Sequence, residues 1–467
     1  MSIASTPVAA EGSHVGKLPI KLKLGWATGA FGVAMLMNGI STFILFYAVS
    51  VLGISPWLAG LVILLSKLFD VITDPIVGRW SDSIESPKGR RRPFLVWGAI
   101  ISAISMAMVF TTPVFANEWL TATYLFFALC VYAAGFTIFN IPYLAMPAEM
   151  TDDYHERSSI HGYRIVFVAS GAFLAAAILP GTILEAFGRE EWIAYVYYAL
   201  GCSGLIFITM MIAYFSTAKA RFTKRPSIMT NLTQEFDAVW GNRHFLRLIG
   251  VKFAQLLGVQ LTGGAFLFFL VQTLELTFYT LIVYATALTI ATIVAAPVLV
   301  RISRKFGKRE AYCVAAVCYI VGVLSWLLAG PGEPNWSIVA RGIVIGTAAT
   351  GNVVLAMSML TDIIEWDSRR TGVRREGAYT ALYSFVEKLT GALGPFIVGI
   401  ALSIGGFDNS LPPDVSQGEN VHTALYMTVA VLPAICGAIG LWLLLGYRLT
   451  EKELKGAPVA SEPSPAT

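Results

Sequence analysis

Long apolar runs, separated by short polar stretches, repeat along almost the whole chain. A helix needs about 20 apolar residues to cross roughly 30 Å of hydrocarbon, whereas a transmembrane strand needs about 10. Helices satisfy all of their backbone hydrogen bonds within lipid. The pattern therefore predicts an all-α membrane protein with twelve transmembrane helices, at residues 24–51, 56–79, 94–114, 119–148, 160–186, 192–216, 244–274, 277–301, 310–330, 335–363, 377–405 and 422–447.

The predicted helices divide six and six around a polar stretch that contains "STAKARFTKRPS". The segment "LAMPAEMTDDYHERSS" in the first half resembles "LAMSMLTDIIEWDSRR" at the same place in the second half. Duplicated halves that rock about a midplane site are typical of secondary transporters. We therefore expect an N-terminal tail, a six-helix half, a cytoplasmic linker, a second six-helix half and a disordered tail, at residues 1–20, 21–216, 217–243, 244–447 and 448–467.

The composition supports a membrane location. Only 13% of the 467 residues are charged, whereas a soluble domain carries about 25%. Most Lys and Arg residues fall on one side of the membrane if both termini are cytoplasmic, and loops on the cytoplasmic side are those that carry this excess. The net charge of +4 therefore indicates topology, and we expect no nucleic acid partner.

Several chemistries are missing from the sequence. It contains no G-x-x-x-x-G-K-[ST] motif, which argues against ATP-driven pumping, and no pairing of nucleophile and base that would indicate an enzyme. We expect no cofactor other than a coupling ion. The five cysteines lack metal-ligand spacing and are interpreted as small packing residues: Cys130, Cys202, Cys313, Cys318 and Cys436.

The second predicted helix carries charge inside its apolar run. Lys67, Asp70 and Asp74 stand at i, i+3 and i+7 and form one stripe, with Thr73 beside it. A charged side chain near the bilayer centre costs at least about 2.5–3.5 kcal/mol, and the two carboxylates repel each other. The pair is stable if a cation neutralises it or if one carboxyl keeps a proton. This pattern predicts a site for Na⁺ or H⁺ at Asp70 and Asp74; a packing salt bridge to Lys67 is the alternative.

Polar residues on three other predicted helices extend this site. Thr137 and Asn140 lie at i, i+3 beside Pro142 and offer oxygen ligands, although Asn140 is also explained by a hydrogen bond between helices. Lys388 lies roughly 17 Å into the eleventh helix and is expected to line a central cavity. Arg164 either joins that cavity or extends to the interface. Glu387, adjacent to Lys388, points about 100° away and is free to pair elsewhere.

These residues resemble the glycoside–pentoside–hexuronide:cation symporter family, a melibiose-permease-like branch of the major facilitator superfamily. The resemblance covers nearly the whole chain and rests on "KLFDVITDP" followed by "GRRRPF", on "TIFNIP" and on "TGVRREGAY". It implies that Asp70 and Asp74 bind the coupling Na⁺, Li⁺ or H⁺ with the Thr137 hydroxyl. It also implies that Arg164 and Lys388 belong to the sugar-binding and gating region.

The chain departs from the galactoside carriers of that family. Val33-Ala34 follows "GAFG" where those carriers have an acid, Asn140 also replaces an acid, and Leu144 replaces a tryptophan. The acids Asp70, Asp74 and Glu387 carry three negative charges, whereas one bound cation and the bases Lys67, Arg164 and Lys388 carry four positive charges. The loaded site is therefore one negative charge short of neutrality. We therefore expect a sugar or glycoside as the small-molecule solute, in particular an acidic one such as a uronide, bound near Lys67, Arg164, Ser384 and Lys388.

Charge clusters at the predicted cytoplasmic ends are interpreted as a gate that latches the two halves; their alternative is topology alone. The gate comprises Asp82 with Arg90 and Arg91, and Asp362 and Glu365 with Arg374 and Arg375. The sequence thus predicts a monomeric, cation-coupled symporter in the inner membrane of a bacterium. A carrier of an amphipathic or lipid-like solute is the alternative, and a non-transporting sensor is disfavoured by the intact midplane charges.

Overall fold

In the computed structural model the described residues are 18–84, 91–151, 153–188, 191–218, 239–373, 375–409, 411 and 415–449. Their regular structure is helical throughout, as the apolar runs predict. The tails and most of the predicted linker lie outside these residues. The long helices are α1 Ile20–Val51, α2 Pro56–Ser83, α3 Arg92–Phe110, α4 Glu118–Met150, α5 Tyr154–Phe173 with a continuation to Phe187, α6 Trp192–Ser216, α7 Arg243–Thr273, α8 Tyr279–Phe306, α9 Lys308–Leu328, α10 Asn335–Thr371, α11 Glu376–Ile404 and α12 Glu419–Leu445.

Eleven of these helices are long and apolar enough to cross a membrane, counted over the described residues. The remaining one is α2, which carries the charged stripe. Its 28 residues extend over about 42 Å at 1.5 Å per residue, which is enough to span the hydrocarbon. The all-α prediction is therefore confirmed, with eleven candidate spans and α2 as a twelfth helix of sufficient length.

Some helix boundaries differ from those that the apolar runs predict. We expect the tenth helix to end at residue 363, but α10 continues to Thr371, where Gly372 adopts a left-handed conformation with φ of 71°. Glycine takes this conformation readily and commonly ends helices. The last turns of α10 are polar because they extend beyond the hydrocarbon, so hydropathy underestimates the length of the helix.

The first helix of each half ends in the same way. α1 finishes in a π-helical turn at Tyr47–Val51, and α7 finishes in one at Phe269–Thr273. In both, the backbone N–H after the turn donates to the carbonyl five residues earlier, from Leu52 to Tyr47 and from Leu274 to Phe269, each at 3.0 Å. This shared ending supports the duplication of the two halves.

The two halves meet most closely between α2 and α11. α2 packs against α4 of its own half and against α11 of the other half, and α11 packs also against α7. Gly60 allows the close approach, because a Cβ atom there would lie 2.9 Å from the Cα atom of Phe396. The packing brings the charged stripe of α2 opposite the middle of α11.

The halves are joined at one end of the bundle. Phe46 of α1 packs on Phe268 and Phe278 of the second half, with ring centroids 5.1 and 5.9 Å apart. The backbone N–H of Trp57 donates to the Ser403 hydroxyl at 3.0 Å. This end carries the loops that the charge pattern predicts to face away from the cytoplasm.

At the opposite end, four ion pairs between described residues each lie within one half. In the first half they are Lys23–Glu156 at 2.9 Å and Arg91–Glu149 at 3.0 Å. In the second half they are Lys308–Asp362 at 2.6 Å and Arg375–Asp367 at 3.1 Å. Each of these four pairs joins two segments of its own half.

Candidate functional site

The two carboxylates of the α2 stripe share one lysine from the other half. Lys388 Nζ lies 2.9 Å from Asp70 Oδ2 and also contacts Asp74 Oδ2. The Asp70 side chain is 8% exposed, and that of Asp74 is 31% exposed. One ammonium therefore bridges both acids across the contact between α2 and α11, and one negative charge is left over.

α4 supplies a hydroxyl to the same pair. Thr137 Oγ1 lies 3.1 Å from Asp70 Oδ1 and 2.9 Å from Asp74 Oδ1, and it is fully buried. A hydroxyl carries one hydrogen, so it donates to one carboxylate at a time. It can accept from the other only if that carboxyl is protonated. The structure thus brings Asp70, Asp74 and Thr137 together as the sequence predicts, and it adds Lys388 to them.

The two other predicted cation ligands have different surroundings. The Thr73 hydroxyl donates to the backbone carbonyl of Asp70 at 3.1 Å, within its own helix. Asn140 Oδ1 is buried and accepts no hydrogen bond in the described part of the chain. The interhelical hydrogen bond that we considered for Asn140 is therefore not formed through this oxygen, which is free to accept one from a ligand.

Lys67 does not satisfy the carboxylates. Its ammonium lies 5.4 Å from the ring centroid of Tyr132, and it makes no ion pair with the described residues. The alternative of a packing salt bridge from Lys67 is wrong, because Lys388 takes that position. The sequence could not reveal this, since Lys388 is more than 300 residues away and reaches the pair only through the packing of α2 on α11.

Arg164 and Ser384 carry unused polar groups. Arg164 Nε is buried without a hydrogen-bond partner, and the guanidinium makes no ion pair with any residue that the structure describes. Ser384 is exposed on α11, one turn before Lys388. Both side chains therefore remain available to a ligand.

A second intramembrane ion pair lies within the second half. Lys252 Nζ of α7 lies 2.7 Å from Glu387 Oε1 of α11 and over the ring of Tyr383. The Lys252 side chain is 5% exposed, whereas that of Glu387 is 55% exposed. The sequence shows both charges inside apolar runs, which is a signal for such a pair, but it does not assign them to each other.

The predicted gate residues are only partly described. Arg90, Arg374 and the side chain of Asp82 lie outside the described residues. Asp362 and Glu365 do not bind Arg375 here: Asp362 pairs with Lys308, and Glu365 pairs with Arg369 one turn along the same helix. Arg375 binds Asp367, and Arg91 binds Glu149. These partners differ from the expected ones because the packing of the helices brings other counter-charges into contact with these groups.

No group of three or more metal-ligating side chains occurs among the residues that the structure describes. The five cysteines are free thiols, of which Cys202 is buried and Cys318 is exposed. A packing role thus fits Cys202 well and Cys318 poorly.

Known proteins resemble the chain over nearly all of its length. The MFS/sugar transport protein family matches residues 25–451. The putative glycoside/cation symporter YagG of Escherichia coli (strain K12) is 25% identical over 94% of this chain and 94% of its own. The glucuronide carrier protein homolog of the same organism is 25% identical over 88% of this chain and 89% of its own.

The solved structures include a bacterial homologue of the human lysosomal transporter Spinster in an inward-facing and unoccupied conformation. It covers 93% of this chain and 100% of its own, with a TM-score of 0.67 and 15% sequence identity. At this identity the likeness concerns the fold alone, and it confirms the predicted arrangement of helices.

Proposed function

This chain belongs to the MFS/sugar transport protein family, a family of membrane transporters and not of enzymes, and we propose that it is a cation-coupled symporter of a sugar or glycoside. The family resemblance that the motifs indicate is thereby confirmed. The solute, the ion and the residues that bind them belong to the proposal. We also propose a monomer in the inner membrane of a bacterium, embedded in the lipid bilayer by its many apolar helices.

The single observation that carries the proposal is the bridge from Lys388 to Asp70 and Asp74. Two carboxylates and one ammonium leave a net charge of −1, which a Na⁺ ion or a proton would neutralise. Thr137 offers the ion a further oxygen, and Thr73 and Asn140 lie close by in sequence as additional candidate ligands. The incoming cation competes with the ammonium for the same carboxylate oxygens.

This competition links ion binding to movement. Lys388 belongs to α11 and the carboxylates belong to α2, so an ion that weakens the bridge frees one half from the other. Binding of the ion and of the solute must then favour each other by the same factor. Release of the Lys388 ammonium also supplies a positive group for a solute, in addition to that of Arg164.

The charges near the site support an acidic solute. Lys67, Lys252, Arg164 and Lys388 carry four positive charges against the three negative charges of the intramembrane acids. Summed over all of these intramembrane charges, and not over the cation site alone, the total is positive by one, and a bound cation makes it positive by two. A carboxylate on the solute offsets this excess, which favours a uronide. The name of the glucuronide carrier homolog agrees with that choice.

We assign the structure to an inward-facing state. If both termini are cytoplasmic, the joined end with Phe46 and Phe278 faces outward, and the end with the four described ion pairs faces the cytoplasm. In the outward-facing state we expect the predicted gate residues to exchange partners across the halves.

The amphipathic-solute alternative has less support from the packing. It relies on the apolar replacements Val33, Ala34 and Leu144. Val33 and Ala34 are 8% and 3% exposed and lie in the interior of the first half, so they do not offer a surface to a lipid chain. Leu144, at 39% exposed, is the one that does.

Transport by the purified protein in proteoliposomes tests the proposal. p-Nitrophenyl β-D-glucuronide and p-nitrophenyl β-D-glucoside are offered under separate Na⁺ and H⁺ gradients, with a lysolipid as competitor. We expect accumulation that depends on one gradient and a preference for the glucuronide. Flux that is the same with and without either gradient would refute symport. A preference for the glucoside would refute the acidic solute. Competition by the lysolipid alone would favour the amphipathic alternative.

A further inference from the structure

Glu387 is an unusual carboxylate because one of its oxygens is held in an ion pair while the side chain remains exposed. It lies about 17 Å along α11 from Glu376, well inside the span. Its buried partner Lys252 holds Oε1 at 2.7 Å. The acid is nevertheless 55% exposed, and Oε2 accepts no hydrogen bond from the described residues. In an ion pair that served packing alone, both partners would be buried and both carboxylate oxygens would accept hydrogen bonds.

Further unused polar groups share the face of α11 that carries Glu387. Ser384, Glu387 and Gly391 stand at i, i+3 and i+7. The Ser384 hydroxyl is exposed and makes no hydrogen bond to the described part of the chain. A Cβ atom on Gly391 would lie 3.1 Å from Gln260 Nε2 of α7, so the Gln260 amide sits beside this face, and it too has no described hydrogen bond. The Ser384 hydroxyl, one carboxylate oxygen of Glu387 and the Gln260 amide of α7 thus lie along the same face of α11.

We propose that Glu387 is the residue of the second half that recognises hydroxyl groups of the solute, and that Lys252 positions it. The proposal rests on the proposed function, since it assigns a residue to the solute of that transporter. A carboxylate oxygen accepts hydroxyl hydrogens through short, charge-assisted hydrogen bonds. Lys252 fixes the other oxygen, so the carboxylate is held before the solute arrives and little ordering remains to be done on binding.

The arrangement gives the two neighbouring residues of α11 separate tasks. Lys388 turns to α2 and meets the carboxylates of the cation site. Glu387 turns to α7 and leaves one oxygen open to a polyhydroxy ligand. The solute is then held by positive groups for its acid and by Glu387 for its hydroxyls.

Equilibrium binding to purified protein tests this assignment. The probes are p-nitrophenyl β-D-glucuronide and its monodeoxy analogues. We expect Glu387→Gln to raise the Kd of the full glucuronide about 10- to 100-fold, because it replaces a hydrogen bond to a charged group. For the wild type, one monodeoxy analogue should have a Kd higher than that of the full glucuronide by a similar factor. For Glu387→Gln, the Kd values of that analogue and of the full glucuronide should be nearly equal, since both changes remove the same contact. Cation binding should keep its wild-type Kd.

The controls separate recognition from folding. Glu376→Gln removes the same kind of carboxylate from the exposed start of the same helix and should leave both Kd values unchanged. Glu387→Gln leaves Lys252 buried without a counter-charge, which can destabilise the fold. The double variant Lys252→Met with Glu387→Gln removes both charges and should show the same loss of affinity for the glucuronide.

The outcomes are distinct for the two proposals. If the wild type binds neither the glucuronide nor the glucoside, the proposed function fails and this assignment fails with it. If the wild type binds the glucuronide and both Glu387 variants bind it equally well, only the assignment is overturned. A deoxy penalty that persists undiminished in Glu387→Gln would also overturn it, because the missing hydroxyl would then contact another residue.

Discussion

Two ion pairs inside this transporter differ in what they join. The bridge from Lys388 to Asp70 and Asp74 crosses between the halves, whereas the pair of Lys252 and Glu387 stays within the second half. A bond between bodies that move apart must break in every cycle, and a bond within one body need not. The comparison teaches that neighbouring residues of one helix can serve movement and recognition separately.

The largest effect is expected from the bridge itself. Asp74→Asn removes a carboxylate that Lys388 and Thr137 both contact, and it removes the charge that attracts the coupling ion. We expect accumulation in proteoliposomes to fall at least about 100-fold, which corresponds to two lost hydrogen bonds to a charged group. Glu310→Gln, on an exposed first turn of α9, is the control. Undiminished accumulation by Asp74→Asn would contradict the ion site.

Replacement of Lys388 and replacement of Lys252 should have different effects on the Kd of the cation. Lys388→Met removes the competing ammonium and leaves both carboxylates to the cation, so we expect the cation Kd to fall about 10-fold or more while transport is impaired. Lys252→Met should leave the cation Kd unchanged, because its partner is Glu387. Calorimetry with Na⁺, and proton uptake on acidification, measure both. Equal responses of the two variants would remove the distinction between the pairs.

A smaller effect is expected from the hydroxyl of α4. Thr137→Val keeps the shape of the side chain and removes its hydrogen bond to the carboxylates. We expect the cation Kd to rise about 10-fold, as for one hydrogen bond to a charged group. Thr390→Val is the matched control: Thr390 is equally buried, but its hydroxyl donates to the backbone carbonyl of Val386 at 2.8 Å. A similar change in both variants would show that the hydroxyl acts only on packing.

The smallest effect concerns a pair that neither bridges the halves nor faces the site. Glu156 lies ahead of the candidate span Ser159–Phe187, and hydrogen bonds from the Lys23 ammonium and the Leu18 backbone N–H hold the pKa of its carboxyl below the usual range. A lowered pKa means that the pair stabilises the fold above the unfolded pKa, and that this contribution is lost as the pH falls through the folded pKa.

Thermal unfolding in detergent checks this at pH 7 and at pH 3. Glu156→Gln should lower the apparent Tm slightly at pH 7. It should also narrow the difference between the apparent Tm at pH 7 and the apparent Tm at pH 3. An unchanged difference would show that other acids account for the pH dependence. Transport at pH 7 should be close to that of the wild type.

The sequence predicts the fold well and the site in part, for physical reasons that particular residues illustrate. Apolar runs long enough to span lipid leave few choices of structure, so the helices are found from the sequence. Asp70 and Asp74 stand out because charge in an apolar run is costly. The same reasoning marks Lys252, Glu387 and Lys388.

What the sequence does not give is the choice of partner. Lys67 is three residues from Asp70, but the lysine that binds it comes from α11, because helix packing and not sequence distance sets the contact. Asp362 and Glu365 likewise bind Lys308 and Arg369, and not Arg375. Partner choice depends on the relative position of helices, which no local pattern encodes.

The glycine contact between α2 and α11 has a consequence for the way in which the bridge opens. With no side chain between Gly60 and Phe396, that point is the natural fulcrum for a tilt of one helix against the other. Asp70 lies about 15 Å along the helix from this fulcrum, and Asp74 about 21 Å. A rigid tilt about this point moves Asp74 about 1.4 times as far as Asp70, so the two contacts of Lys388 respond unequally to the same motion.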